Sequence, residues 1–166
     1  MHGIGNEQDA QKILSWVRSY PTRYSRPECV NNEEAPDGWE FLGSGSFRSV
    51  WLSPEGVAYK VNHRDDYDEQ GEGEVSNLRE AWKRQPPEGC RLPEFNHFLI
   101  GGEVIVAIEA IDGVTVEEHL RGEREPDRSM HKLMRDCESM YKLCDVHTEN
   151  AMIDSNGFLV VVDWGG

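Results

Sequence analysis

Three short apolar runs separated by turn residues constrain the fold of this 166-residue chain more than any other feature. The runs occupy residues 39–42, 48–52 and 57–61, with Gly-Ser-Gly-Ser at 43–46 and Ser-Pro-Glu-Gly at 53–56 between them. Short apolar runs between such tetrapeptides are typical of strands joined by tight turns. The segment therefore predicts an antiparallel meander.

The rest of the chain places helices between early and late strands. Apolar residues at helical spacing predict four helices, at residues 6–19, 74–84, 116–121 and 128–141. Two further hairpins are predicted at 99–108 and 152–162, the second turning at Asn156-Gly157, while the proline-rich residues 21–38 predict an extended loop. This order is typical of an α+β fold and not of an alternating parallel one.

The acidic composition excludes several functions. With 17 basic and 31 acidic residues the formal charge is -14, which repels nucleic-acid backbones, so we expect no nucleic-acid binding. A phosphorylated ligand must then be held by local cations, backbone N–H groups or metal ions. The charge favours a basic protein partner, although acidity that only confers solubility explains it equally well.

The apolar runs and the cysteines bear on the cellular compartment. No run has the length that a bilayer requires, and the amino terminus lacks a secretory signal, so we expect neither membrane insertion nor secretion. The four cysteines are dispersed and form no C-x-x-C pair. We therefore expect a reduced, cytoplasmic protein with free thiols.

A glycine-rich turn and a lysine suggest phosphate binding. Gly43 and Gly45 would let the backbone approach a ligand and turn its N–H groups toward phosphate oxygens, although a plain hairpin turn needs the same residues. Lys60 could reach those phosphates while the small Ala58 packs on a flat base, or it could be an ordinary surface lysine. A buried lysine needs a counter-ion, for which Glu74 is the first candidate; Glu72 and Glu80 are its rivals, and a solvated acidic helix face is the alternative.

Three oxygen-bearing side chains bracket the last hairpin. Asp145, Asn150 and Asp163 carry the hard oxygen ligands that suit Mg²⁺. Asp163 ends an apolar strand, where a buried charge would be costly without a metal or a partner. The alternative is a turn aspartate and a local Asx turn at Asn150.

Five motifs in this order resemble the protein-kinase-like fold. They read G-S-G-S-F-R-S-V at 43–50, V-A-Y-K at 57–60, E-V-S-N-L at 74–78, D-V-H-T-E-N at 145–150 and D-W-G at 163–165. The resemblance covers about residues 39–165 and implies an N-lobe of antiparallel sheet plus helix with a strongly reduced C-lobe. Residues 1–38 would then be an N-terminal helix and extended loop, 39–111 the N-lobe and hinge, and 112–166 a minimal C-lobe.

The resemblance also implies residue roles, with ATP and Mg²⁺ (or Mn²⁺) as cofactors. Lys60 would hold the α- and β-phosphates and pair with Glu74, Asn150 and Asp163 would bind the metal, and Asp145 would accept the proton of an acceptor hydroxyl. The nucleotide would further contact the glycine-rich turn, the adenine pocket, the gatekeeper and the hinge: Gly43, Ser44, Gly45, Ser46, Val50, Ala58, Met152, Ile108, and Glu109 to Ile111. For the apolar members of this set, a plain core position explains the residue equally well.

Departures from the kinase pattern shape the functional hypotheses. Arg48 replaces the third glycine, Leu143-Cys144 replace the His-Arg that clamps a phosphorylated activation loop, and Trp164 replaces phenylalanine. His147 gives D-x-H-x-x-N, which is similar to aminoglycoside phosphotransferases. The sequence ends just after D-W-G, which predicts either a minimal kinase that shapes acceptor binding otherwise, for example as a homodimer, or a degenerate module. Such compactness would suit a phage or mobile-element protein.

Three functions follow from the resemblance. The first is an ATP/Mg²⁺-dependent serine/threonine protein kinase, including one that phosphorylates itself. The second is a pseudokinase-like module that binds a partner through its acidic surface. The third is a small-molecule kinase. It ranks lower, because those enzymes build their acceptor pocket from helices after the position of Asp163.

Overall fold

The computed structural model describes residues 3–19, 35–44, 48–62, 69–121, 128–142 and 146–164. The chain divides into two compact units, Met1–Val75 with Glu94–Ala110 and Ser76–Pro93 with Ile111–Gly166. The predicted lobe at 39–111 is therefore interrupted, because residues 76–93 group with the second unit. Backbone hydrogen bonds explain this grouping: Arg91 N donates to Leu159 O at 3.0 Å and Leu159 N donates to Gly89 O at 2.9 Å.

The first unit contains an antiparallel five-stranded sheet in the order β1-β2-β3-β5-β4. Its strands are β1 (Glu40–Ser44), β2 (Arg48–Leu52), β3 (Val57–Asn62), β4 (Phe95–Ile100) and β5 (Glu103–Glu109). The predicted meander is present as β1 to β3. The second predicted hairpin begins earlier than expected, because β4 pairs with β5 from Phe95, which lies opposite Ile108.

Helix α1 (Glu7–Ser19) covers one face of this sheet. The predicted N-cap is present, since Asp9 N donates to Asn6 Oδ1 at 2.7 Å. The helix buries Ile13 and Val17, and Trp16 meets Trp51 edge-on with ring centroids 5.0 Å apart. Within residues 1–38, helix α1 therefore belongs to the first unit. Most of the predicted extended loop lies outside the described residues.

A buried tyrosine ties the start of α1 to the sheet, and its hydroxyl is expected to contribute to stability. Asn6 N donates to Tyr59 Oη at 2.9 Å, so Tyr59→Phe should lower the free energy of unfolding by about 1 kcal/mol. Tyr141→Phe is the control, because the buried Tyr141 hydroxyl has no hydrogen-bond partner among the described residues. Urea unfolding should show no loss for that variant, and equal losses in both would contradict the assignment.

The second unit contains a three-stranded antiparallel sheet in the order β6-β7-β8, with two helices. These elements are β6 (Gly113–Thr115), α3 (Val116–Arg121), α4 (Arg128–Tyr141), β7 (Ala151–Asp154) and β8 (Leu159–Val161). The last hairpin turns at Gly157 as predicted, with a φ of 85°. Strand β6 was not predicted; a Cβ on Gly113 would lie 1.9 Å from Ile153 O, so the close pairing with β7 requires glycine.

Helix α2 (Glu69–Trp82) begins five residues before its predicted start at 74. The glycines of its first turns lower helix propensity, which hides the true start in the sequence. Packing explains their presence, because a Cβ on Gly71 would lie 2.6 Å from Val104 O on β5. Among the described residues, none of these helices is long and apolar enough to span a bilayer.

Candidate functional site

Side-chain alternation along β3 separates a core face from a second face that carries Lys60. Tyr59 and Val61 belong to the cluster that packs against α1. Because successive side chains of a strand point to opposite faces, Ala58 and Lys60 lie on the other face of the sheet.

The strand register brings the predicted base-contacting residues of the first unit next to Lys60. Lys60 lies directly opposite Val50 on β2, and Ala58 lies opposite Ile108 on β5. Residues directly opposite each other share a face and have neighbouring side chains. Val50, Ala58 and Ile108 therefore lie on the same face as Lys60, and their contact with a base stays a prediction.

Lys60 forms a buried ion pair with Glu74 of α2. The Lys60 Nζ lies 2.5 Å from Glu74 Oε1, and Glu74 Oε2 accepts a hydrogen bond from Arg48 Nη2. Glu74 is fully buried and Lys60 is 6% exposed. The other two candidate counter-ions do not contact Lys60 in this way: Glu72 is exposed, and Glu80 pairs with Lys83 at 2.8 Å.

The two cations keep the buried carboxylate ionised. Burial alone would raise the pKa of Glu74, but the charges and hydrogen bonds of Lys60 and Arg48 outweigh it and hold that pKa below its ordinary value. Glu74 is therefore ionised at neutral pH. The Lys60–Glu74–Arg48 group is called the buried triad below.

The first two residues of the glycine-rich segment, Gly43 and Ser44, end β1, which pairs with β2. Gly43 lies opposite Val50 and Ser44 opposite Ser49, and the register shifts between Phe41 and Gly43. Such a shift marks a β-bulge, which bends a strand. Gly45 and Ser46 lie outside the described residues, so their predicted role stays a prediction.

The remaining predicted base-contacting residues are divided between the units. Glu109 ends β5, where its N–H donates to Glu94 O at 2.8 Å and its Oε1 accepts from Glu94 N at 3.1 Å. Ile111 begins the second unit's later segment, and Met152 lies on β7; both are partly buried. Their contact with a base stays a prediction.

In the second unit, main-chain hydrogen bonding brings Asn150 next to the segment that carries Asp163. Val162 N donates to Asn150 O at 2.9 Å. The Asn150 side chain is mostly buried, and its Oδ1 accepts from His147 N at 2.9 Å, while Asp163 is exposed. Asp145 lies outside the described residues.

The chemistry of this donor set fits Mg²⁺. Asn150 carries an amide oxygen, which accepts from His147 N, and Asp163 carries a carboxylate; both are hard oxygen donors of the kind that Mg²⁺ takes. The described residues contain no cluster of three or more His, Cys, Asp or Glu side chains suited to a metal. An ion held here by two side chains would complete its shell with water and phosphate oxygens, as Mg²⁺ does.

Trp164 anchors the backbone that follows Asp163. It is fully buried, and its ring centroid lies 5.1 Å from that of Tyr141. The indole Nε1 donates to Val161 O at 2.8 Å, and Trp164 O accepts from Asn77 Nδ2 at 2.7 Å. The tryptophan that replaces phenylalanine in the last motif is thus a core residue.

The sequence interpretation missed two positioning side chains. Arg48, which replaces the third glycine of the kinase pattern, holds Glu74; its even spacing from Val50 on β2 signals the shared face. The hydrogen bond from Asn77 to Trp164 O has no signal in the sequence.

The described cysteines, Cys90 and Cys137, are free and buried, with their sulfurs 2.9 Å apart.

Comparison with known proteins supports the fold but assigns no function. No protein-family model matches the sequence, and no curated protein matches it. A solved structure of the bacterial serine/threonine kinase PpkA (PpkA-294, apo form) is similar, with a TM-score of 0.52 and 12% sequence identity. The match covers 82% of this chain and 61% of that one. The chain therefore has a kinase-like α+β fold and spans about three fifths of the kinase it matches.

Proposed function

We propose that this chain is an ATP- and Mg²⁺-dependent phosphotransferase that transfers phosphate to serine or threonine of a protein, itself included. One observation carries the proposal. The buried Lys60–Glu74 pair lies on the sheet face that also presents Val50, Ala58 and Ile108.

The energetics of burial favour a ligand-binding role for this pair. Taking two charges out of water is expensive, and apolar residues of similar volume are often as stable or more so. A buried lysine that shares its sheet face with a small alanine and two apolar side chains is better explained by an anionic ligand with a flat apolar part.

Each predicted site residue would have a separate role in the reaction. Lys60 would donate to phosphate oxygens while Glu74 holds its ammonium in place, and Val50, Ala58 and Ile108 would provide an apolar surface for the base. Asn150 and Asp163 would hold Mg²⁺ or Mn²⁺, which neutralises phosphate charge when bound. The D-V-H-T-E-N motif assigns Asp145 to orient the acceptor hydroxyl and take its proton.

Thermal stability with and without ATP and Mg²⁺ tests the nucleotide site without knowledge of the acceptor. A ligand at about 100 times its Kd stabilises by about 2.7 kcal/mol, which raises the Tm by a few degrees. We expect a Mg²⁺-dependent shift in the wild type, its loss in Asp163→Ala and Lys60→Met, and its retention in the control Asp136→Ala, which removes a carboxylate from α4. No shift at millimolar nucleotide, or a full shift in Asp163→Ala, would overturn the proposal and favour a partner-binding module.

The acceptor class is tested by phosphate transfer from labelled ATP. The charge of -14 favours a basic acceptor. We expect label on a basic serine/threonine substrate or on the chain itself. Label on aminoglycosides alone would instead favour a small-molecule kinase.

A further inference from the structure

Three buried polar atoms on the Lys60 face have no hydrogen-bond partner among the described residues. They are Arg48 Nη1, Asn62 Nδ2 and Asn62 Oδ1. Arg48 and Asn62 lie directly opposite each other on β2 and β3, and alternation along β3 places Asn62 on the same face as Lys60. Asn62 is 1% exposed, and the Arg48 side chain is 11% exposed.

Buried polar atoms without a partner indicate a place where a ligand could bind. Buried donors almost always have an acceptor, because their desolvation is otherwise not repaid. The guanidinium of Arg48 is a planar fork of donors, of which Nη2 binds Glu74 and Nη1 has no described acceptor. The remaining donor belongs to a charged guanidinium, for which an anionic oxygen is the strongest acceptor.

We propose that Arg48 is a second phosphate ligand beside Lys60, with the Asn62 amide donating to the same anionic group. This inference rests on the proposed function and adds residues to its phosphate site. Asn62 lies two positions after Lys60, a rise of about 7 Å along β3, which a triphosphate can span. An arginine that replaces glycine beside this site would thus have a ligand-binding role.

Calorimetric titration of the full chain with Mg²⁺-ATP and with adenosine tests the proposal. Arg48→Met keeps the aliphatic stem and should weaken ATP binding roughly 10- to 100-fold, the range for a charge-assisted hydrogen bond, while leaving adenosine binding unchanged. The control is Arg91→Met, which removes an arginine paired with Asp154 in the second unit and should change neither affinity. Unchanged ATP affinity in Arg48→Met would overturn the inference alone; a wild type that binds no ATP would overturn the proposed function and the inference with it.

A double-mutant cycle separates direct contact from an effect through Glu74. If Arg48 contacts phosphate, Arg48→Met still weakens ATP binding when introduced into Glu74→Gln. If Arg48 acts only by holding Glu74, the second substitution adds nothing, and that result would overturn the proposal.

Asn62→Leu gives a test that does not depend on a destabilised variant. Replacing a buried amide that lacks described partners by an apolar side chain of similar shape should raise the Tm of the free protein. The same change should weaken ATP binding severalfold, because a phosphate donor is lost. A raised Tm with unchanged ATP affinity would overturn the role of Asn62.

Discussion

Glu74→Gln is expected to lower the free energy of unfolding by about 3–5 kcal/mol at neutral pH, the range for breaking a buried ion pair by removing one partner. The glutamine keeps the shape of the side chain but removes the charge that Lys60 and Arg48 share. Two buried cations would then lack their described counter-ion, and their desolvation would no longer be offset.

The effect of this substitution should depend on pH in a defined direction. Because the pKa of Glu74 is lowered in the folded protein, its contribution is fully present above the unfolded-state pKa. It is lost as the pH falls through the lower folded-state pKa. The stability difference between the wild type and Glu74→Gln should therefore be largest near neutral pH and should disappear under acid conditions.

Urea unfolding at a series of pH values measures both effects. Glu72→Gln and Glu80→Gln are matched controls on the same helix, and we expect no measurable change from either, because both side chains are exposed. A loss in Glu74→Gln no larger than in these controls would mean that the buried triad is not formed in solution.

Trp164→Ala is expected to destabilise the protein by about 3–5 kcal/mol, because it empties a fully buried site packed against Tyr141. Trp164→Phe keeps an aromatic ring and loses the hydrogen bond to Val161 O. That variant should lose about 1 kcal/mol from the hydrogen bond and a further loss of at least about 1 kcal/mol from the missing ring volume.

Denaturant unfolding with a surface tryptophan as control checks this prediction. Trp82 also donates its indole N–H to a backbone carbonyl, that of Pro93, but is 37% exposed, so Trp82→Ala should lose clearly less. Equal losses would contradict a core role for Trp164. In Trp164→Phe, Mg²⁺ dependence of the ATP-induced Tm shift should persist, because Asn77 binds the backbone of residue 164.

Local signals were sufficient for most elements of the fold. The apolar runs and turns at 39–61 define β1 to β3, because strand length and turn chemistry are set by neighbouring residues. The N-cap at Asn6 and the turn at Gly157 follow from the same local chemistry. The start of α2 was misplaced, because Gly71 satisfies a close approach to β5 that no local pattern records.

The candidate site shows the same division. Lys60, Glu74, Asn150 and Asp163 are predicted as site residues from residue type and order alone, since phosphate and Mg²⁺ require cations and hard oxygen ligands whatever the fold. Only the packed structure selected Glu74 over Glu72 and Glu80, joined Arg48 to the buried triad and placed Asn62 opposite Arg48. These outcomes depend on which face each side chain shares with residues distant in the sequence, and on the loss of solvent that makes an unpaired charge costly.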